Sequence, residues 1–243
     1  MQVLLVLLLS SQAFSQSAYE LFGTVGGGFL VPQSPDLKGE VFSSHAYLLT
    51  SIKPTLNGKV RLALPAFPLS LTGSISYDAL AGDADVEVFV PGGLVHTKYT
   101  SSLTIVSLGA GIEESFLIST IVKPYASCGL TLSFMSGSER FDNNAVAEGK
   151  LNQSSRLGID FGIGARIVTP TPLISFDFEA KYRLANLLEK GFTNNGYPHF
   201  GYGGIPQGTN YNLNDAKNPL DNNDHTRSIN YFTVRAGISF KIF

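Results

Sequence analysis

Strict period-two alternation constrains this chain more than any other feature, and it is cleanest at the end of the sequence. From Phe232 the even positions read Phe232, Val234, Ala236, Ile238, Phe240 and Ile242, while the odd positions read Thr233, Arg235, Gly237, Ser239 and Lys241. The stretch Leu173 to Leu184 repeats the pattern: Ile174, Phe176, Phe178, Ala180, Tyr182 and Leu184 share one face, and Ser175, Asp177, Glu179, Lys181 and Arg183 share the other. A helix returns to the same face every ~3.6 residues and cannot hold such a pattern, so both stretches are strands with one apolar and one polar face. In a soluble antiparallel sheet the polar face is wet and the apolar face is the core. In a membrane barrel the assignment reverses, and the rest of the chain has to decide between the two.

Six further stretches alternate in the same way: Tyr19 to Val31, Leu56 to Leu64, Pro68 to Leu80, Thr100 to Glu113, about Ile118 to Ser136, and Arg156 to Val168. A membrane strand needs about 9–11 residues and these segments reach that length, whereas strands of globular proteins usually run about 5–6. The connections sort by size. Pro65 to Phe67, Glu114 to Leu117 and Thr169 to Pro172 are short, while Pro32 to about Thr55, Ala81 to Tyr99, Gly137 to Ser155 and Leu187 to Asn230 are long. Strict alternation of short and long connections is the loop pattern of an up-and-down outer-membrane barrel, with both termini on the short-turn side. Within Ala84 to Lys98, Val86, Val88 and Val90 followed by Pro91-Gly92-Gly93 read as a hairpin that prolongs strands three and four.

The polar faces then line the inside. They carry Glu20, Lys59, Arg61, Asp78, Glu113, Lys123, Asp160, Arg166, Asp177, Glu179, Lys181, Arg183, Arg235 and Lys241, nearly balanced in sign. An eight-stranded barrel is only wide enough for its side chains to fill. The expectation is an ion-pair core with small residues between the charges, in which Asp177, Glu179, Lys181 and Arg183 pair with Arg166, Asp160, Arg235 and Lys241 on the flanking strands. Leaving such charges buried and unpaired would cost several kcal/mol each.

Composition closes several other routes. A net charge of −2 provides no basic field for a nucleic acid backbone. The single cysteine, Cys128, rules out a disulfide-stapled scaffold and reads as a small filler on a strand. Residues Met1 to Leu9 form a short apolar run, followed by the small-x-small site Ala13-Phe14-Ser15. This predicts a cleaved signal peptide over residues 1–15 and a single barrel domain over 16–243. No later stretch has the length of a transmembrane helix. A soluble, lipocalin-like exported barrel is the alternative class, and the lack of any tryptophan speaks against it.

With these residues in view the chain resembles the small eight-stranded outer-membrane barrels of the outer-membrane protein A and protein X type. The leader ending Ala13-Phe14-Ser15, the first strand Leu21 to Phe29, and the final strand ending on Phe243 carry the resemblance, which covers the whole mature chain. It implies insertion into a Gram-negative-type outer membrane, with Phe243 similar to the terminal aromatic signal read by barrel-assembly machinery. Here Phe243 shares its face with Lys241 and Ser239 and not with the apolar positions.

Chemistry-bearing motifs are sparse. His45, His96, His199 and His225 all fall in the long connections. Ser43-Ser44-His45 is the one arrangement that resembles a hydrolase pair, and nothing in the sequence orients the histidine toward a nucleophile. Asp221 to Asp224 lacks the glycine turn and distal glutamate of a calcium loop. Gly23, Gly26, Gly27 and Gly28 precede no helix pattern, so they do not form a nucleotide loop. The last connection holds more material than closure requires, and its Tyr197, Phe200, Tyr202 and Tyr211 suit contact with a glycan or protein. The expectation is therefore a monomeric barrel embedded in outer-membrane lipid, without catalysis or cofactor and without nucleic acid, serving a structural or surface-recognition role. A narrow solute pore and a lipid-modifying hydrolase stand as alternatives.

Overall fold

The computed structural model describes residues 19–33, 49, 51–64, 68–90, 93–116, 119, 121–142, 149–171, 173–187 and 229–242. The leader over 1–15, the aromatic quartet Tyr197, Phe200, Tyr202 and Tyr211, the Ser43-Ser44-His45 stretch and Phe243 lie outside them. Eight strands follow one another: β1 Glu20–Pro32, β2 Lys53–Ala63, β3 Leu69–Val90, β4 Gly93–Ser115, β5 Val122–Phe141, β6 Gly149–Val168, β7 Ile174–Leu184 and β8 Asn230–Lys241. Each is antiparallel to the next and β8 pairs back onto β1, from Phe22↔Lys241 to Pro32↔Tyr231, so the sheet closes into a barrel. Both ends of the described chain thus lie on the side of the short turns.

Closure leaves one inside and one outside for each alternating strand, and exposure identifies them. On the outside Ile163 is 69% exposed and Val25 65%, while inward-facing Asp78 and Glu113 are at 0%. The surface is inverted relative to a water-soluble protein. Holding such side chains against water would forgo about 1.5–3 kcal/mol apiece, so this exterior is built for an apolar medium. The eleven residues of β7, at a rise of about 3.3 Å and a tilt of about 40°, span about 25 Å, the height of a membrane barrel's apolar band.

The belt has a readable upper edge on β3, β4 and β5. Its last row of large apolar side chains is Tyr77, Val106 and Phe134, and beyond it the outward positions turn small or polar: Ala79, Thr104 and Ser136, then Ala81, Ser102 and Ser138, then Asp83, Thr100 and Arg140. Lys98 and Asp83 form an exposed ion pair at 2.7 Å there. The β3–β4 hairpin continues past this edge to Val90 and Gly93, as the Val86, Val88, Val90 pattern predicts. The stretch 137–155 differs from expectation: instead of a long loop, β5 runs on to Phe141 and β6 begins at Gly149, with a register shift between Met135 and Gly137. Above the belt neither face meets lipid, so the alternation that marks a strand lower down is absent although the pairing persists. β5 also starts at Val122, four residues after Ile118.

Candidate functional site: the filled lumen

The inner wall is uneven. Strands β2, β7 and β8 carry a run of long charged side chains, whereas β3 to β6 intersperse their charges, Asp78, Glu113, Asp160 and Arg166, with the small residues Thr72, Ser74, Gly109, Gly111, Ser127, Gly129, Gly158, Gly162 and Gly164. Small residues on one wall make room for the charges that reach across from the other. Gly164 illustrates the fit, because a Cβ there would overlap the Tyr125 ring, and Tyr125 must lie across that glycine to place its hydroxyl.

Two ion-pair clusters fill the space. The lower one, near the short turns, sets Lys59, Arg61 and Arg166 against Glu113, Asp177 and Glu179. Arg166 Nη2 donates to Glu113 Oε1 at 2.7 Å and to Asp177 Oδ2 at 3.4 Å. Lys59 Nζ donates to Glu113 Oε2 at 3.2 Å and lies 3.6 Å from Glu179 Oε1. Tyr125 donates to Asp177 Oδ1 at 2.6 Å, and the Lys59 ammonium sits 4.8 Å above its ring centroid. Arg61 stacks on Phe22 at 4.1 Å, which leaves it a longer 3.8 Å contact to Glu113.

The upper cluster centres on Arg183. Its Nε and Nη2 grip Asp160 Oδ1 and Oδ2 at 2.7 and 2.8 Å, a bidentate geometry that combines charge with fixed orientation. Its Nη1 reaches Asp78 Oδ2, Ser107 Oγ and Tyr231 Oη at 2.9 Å each, and Ser76 Oγ at 3.0 Å. Asp78 also accepts from Arg235 Nη2 at 2.8 Å, from Tyr231 at 3.0 Å and from Thr55. Lys181 lies between the clusters, 3.5 Å from Glu179 and 3.8 Å from Asp160. Lys241 pairs with Glu20 at 2.6 Å at the short-turn mouth.

Two pairings differ from the flanking-strand expectation. Arg235 stands opposite Glu179 in register, yet it crosses the lumen to Asp78. Lys241 bonds to Glu20 and not to a residue of β7. For Arg235 the opposite wall of so narrow a barrel is within a side chain's length, so an across-lumen partner competes with its neighbour on the sheet, while Lys241 takes its partner from β1, its other neighbouring strand. Tyr125, Tyr231, Thr55, Ser76 and Ser107 complete the network and were not singled out from sequence. The available signal was that each shares the parity of the charged face. Among the described residues no group of His, Cys, Asp and Glu is placed to hold a metal ion.

A polar cavity of about 20 Å³ is lined by Lys59, Lys181, Asp160, Glu179, Ser127 and Thr131, room for about one water molecule. Toward the long-loop end the lumen turns apolar, with Leu30, Leu80, Leu103, Ile105, Met135 and Tyr231 all at 2% exposure or less. The arrangement binds charge to charge across the lumen.

A closed, antiparallel, eight-stranded barrel with ion pairs inside and an apolar belt outside is the architecture of the small outer-membrane barrels, and this chain has that fold. Among solved structures it is similar to Neisserial surface protein A, with a TM-score of 0.52 and 11% sequence identity over 93% of this chain and 100% of that one. A major outer membrane protein from Thermus thermophilus aligns at a TM-score of 0.49 and 13% identity over 93% of this chain and 100% of that one. Ail, the attachment invasion locus protein of Yersinia pestis, aligns at 0.43 and 13% identity, over 92% of this chain and 100% of that one. No family model matches the chain, and no curated protein matches it in sequence.

Proposed function

We propose that the protein is an integral barrel of a Gram-negative-type outer membrane, exported on a cleaved leader over residues 1–15 and inserted by barrel-assembly machinery. Its work is to hold surface loops on a rigid, closed base, in a structural or recognition role and without catalysis. The observation that carries this reading is the filled lumen: the charges of both clusters are paired with one another across it, and buried apolar side chains close the long-loop end. Solute passage needs a continuous gap, and catalysis needs a nucleophile held against a base; the described lumen supports neither. Recognition is assigned to the last connection, with Tyr197, Phe200, Tyr202 and Tyr211 as its contact residues toward an extracellular glycan or protein. Closure removes free strand edges within the belt, which supports a monomer surrounded by outer-membrane lipid.

The test combines fractionation with electrical recording. The protein is expected in the outer-membrane fraction, to be released only by detergent, and to give no steady current when the purified barrel is reconstituted in a planar bilayer. Recovery in the periplasm without detergent would remove the membrane reading, and a steady current would replace the anchoring role with a pore.

A further inference from the structure

On four strands the inward-facing positions change character toward the long-loop end. Directly above Asp78 on β3 stands Leu80; above Ser107 on β4 stands Ile105; above Ser133 on β5 stands Met135; and Leu30 follows Gly28 on β1. All four are at 1% exposure or less. Two further members come from the long connections, Leu49 before β2 and Ile229 before β8, and both are packed in the same cluster. Backbone bonds fix them in place: Ser51 N–H donates to the Ala81 carbonyl at 2.9 Å, and Ala185 N–H donates to the Ile229 carbonyl at 2.9 Å. The result is a buried apolar cluster at the long-loop end, seated on the Arg183–Asp78 hub through Tyr231.

We infer that this apolar layer, and not the ion-pair network beneath it, is the seal that keeps the barrel impermeable to ions. The inference rests on the reading of the protein as a non-conducting barrel. The two layers oppose an ion differently. In the polar layer an entering ion meets carboxylates, guanidinium groups and hydroxyls that can exchange partners with it, so each loss of hydration has a substitute. In the apolar layer it meets the hydrocarbon side chains of Leu30, Leu80, Leu103, Ile105 and Met135, and an apolar constriction blocks conduction by excluding water. Tyr231 joins the two, its ring in the apolar cluster and its hydroxyl on Asp78 at 3.0 Å, so the seal is seated on the hub without depending on its charges.

Two double variants separate the layers in planar bilayers. Leu80→Ser with Ile105→Ser opens and wets the apolar layer while leaving every ion pair in place. Arg183→Met with Asp160→Asn removes a matched pair from the hub while leaving the apolar layer whole. Folding of each is checked by circular dichroism and by the heat-dependent shift in electrophoretic mobility; if the serine double does not fold, Met135→Asn probes the same layer from β5. The expected result is a steady ionic current from the serine double, or from Met135→Asn, and none from the hub double. Silence of the apolar-layer variants, or a steady current from the hub double, would overturn the assignment. A current from the unmodified protein would fail the anchoring reading itself.

Discussion

Arg183 ties β7 to four other strands, through Asp160 on β6, Asp78 and Ser76 on β3, Ser107 on β4 and Tyr231 on β8. Its value lies less in any one bond than in what its removal strands. Arg183→Met leaves Asp160 with only the 3.8 Å contact to Lys181 and Asp78 with Arg235 alone, and breaking a buried pair in this way costs about 3–5 kcal/mol. Reversible urea unfolding in lipid vesicles should show that loss, with part of it recovered when Asp160→Asn is added. No recovery in the double variant would mean that the shape of the guanidinium matters more than its charge. On the outer surface the rule inverts. Phe178 is 47% exposed on the belt, and Phe178→Arg should destabilise the barrel by about 2–4 kcal/mol near the bilayer midplane, whereas Phe178→Leu should cost less than about 1.5 kcal/mol. In water the arginine would be the harmless substitution, so a neutral Phe178→Arg would place this face outside lipid.

At the scale of elements, the sequence was legible wherever lipid dictates one face and the lumen the other. The strands from Phe22 to Gly28, Leu69 to Asp78 and Ile174 to Leu184 read directly, because an apolar medium outside and a polar filling inside force opposite residue types onto successive positions. Legibility failed where that contrast ends. Past Phe134 and Val106 the outward positions are Ser136, Ser138, Thr104 and Ser102, so the strands of the β5–β6 hairpin continued unseen. Just below, Leu30, Ile105 and Met135 are apolar on the inner face, and the doubled apolar runs Phe29-Leu30-Val31 and Phe134-Met135 were the trace of the apolar layer. Partners across the lumen, such as Arg235 with Asp78, leave no mark in sequence spacing. The last connection belongs to a different regime, since tolerance to change concentrates in exposed connections. Removing roughly 194–224 should leave the heat-modifiable barrel intact while abolishing surface binding. Loss of the folded band in that deletion would make the connection part of the barrel's closure.

The molecule as a whole is built on one inversion: charges inside, apolar side chains outside, with a belt that ends above Tyr77, Val106 and Phe134. The chain contains no tryptophan, so a single introduced indole reports its surroundings without background. Phe178→Trp places it on the belt, and Thr100→Trp places it on the outward face above the belt's upper edge. Each variant would be folded into vesicles whose acyl chains carry bromine, which quenches indole fluorescence on contact. Strong quenching at position 178 with little at position 100 is the predicted result. An unquenched tryptophan at position 178, in protein shown to be folded, would contradict the inversion and with it the membrane barrel.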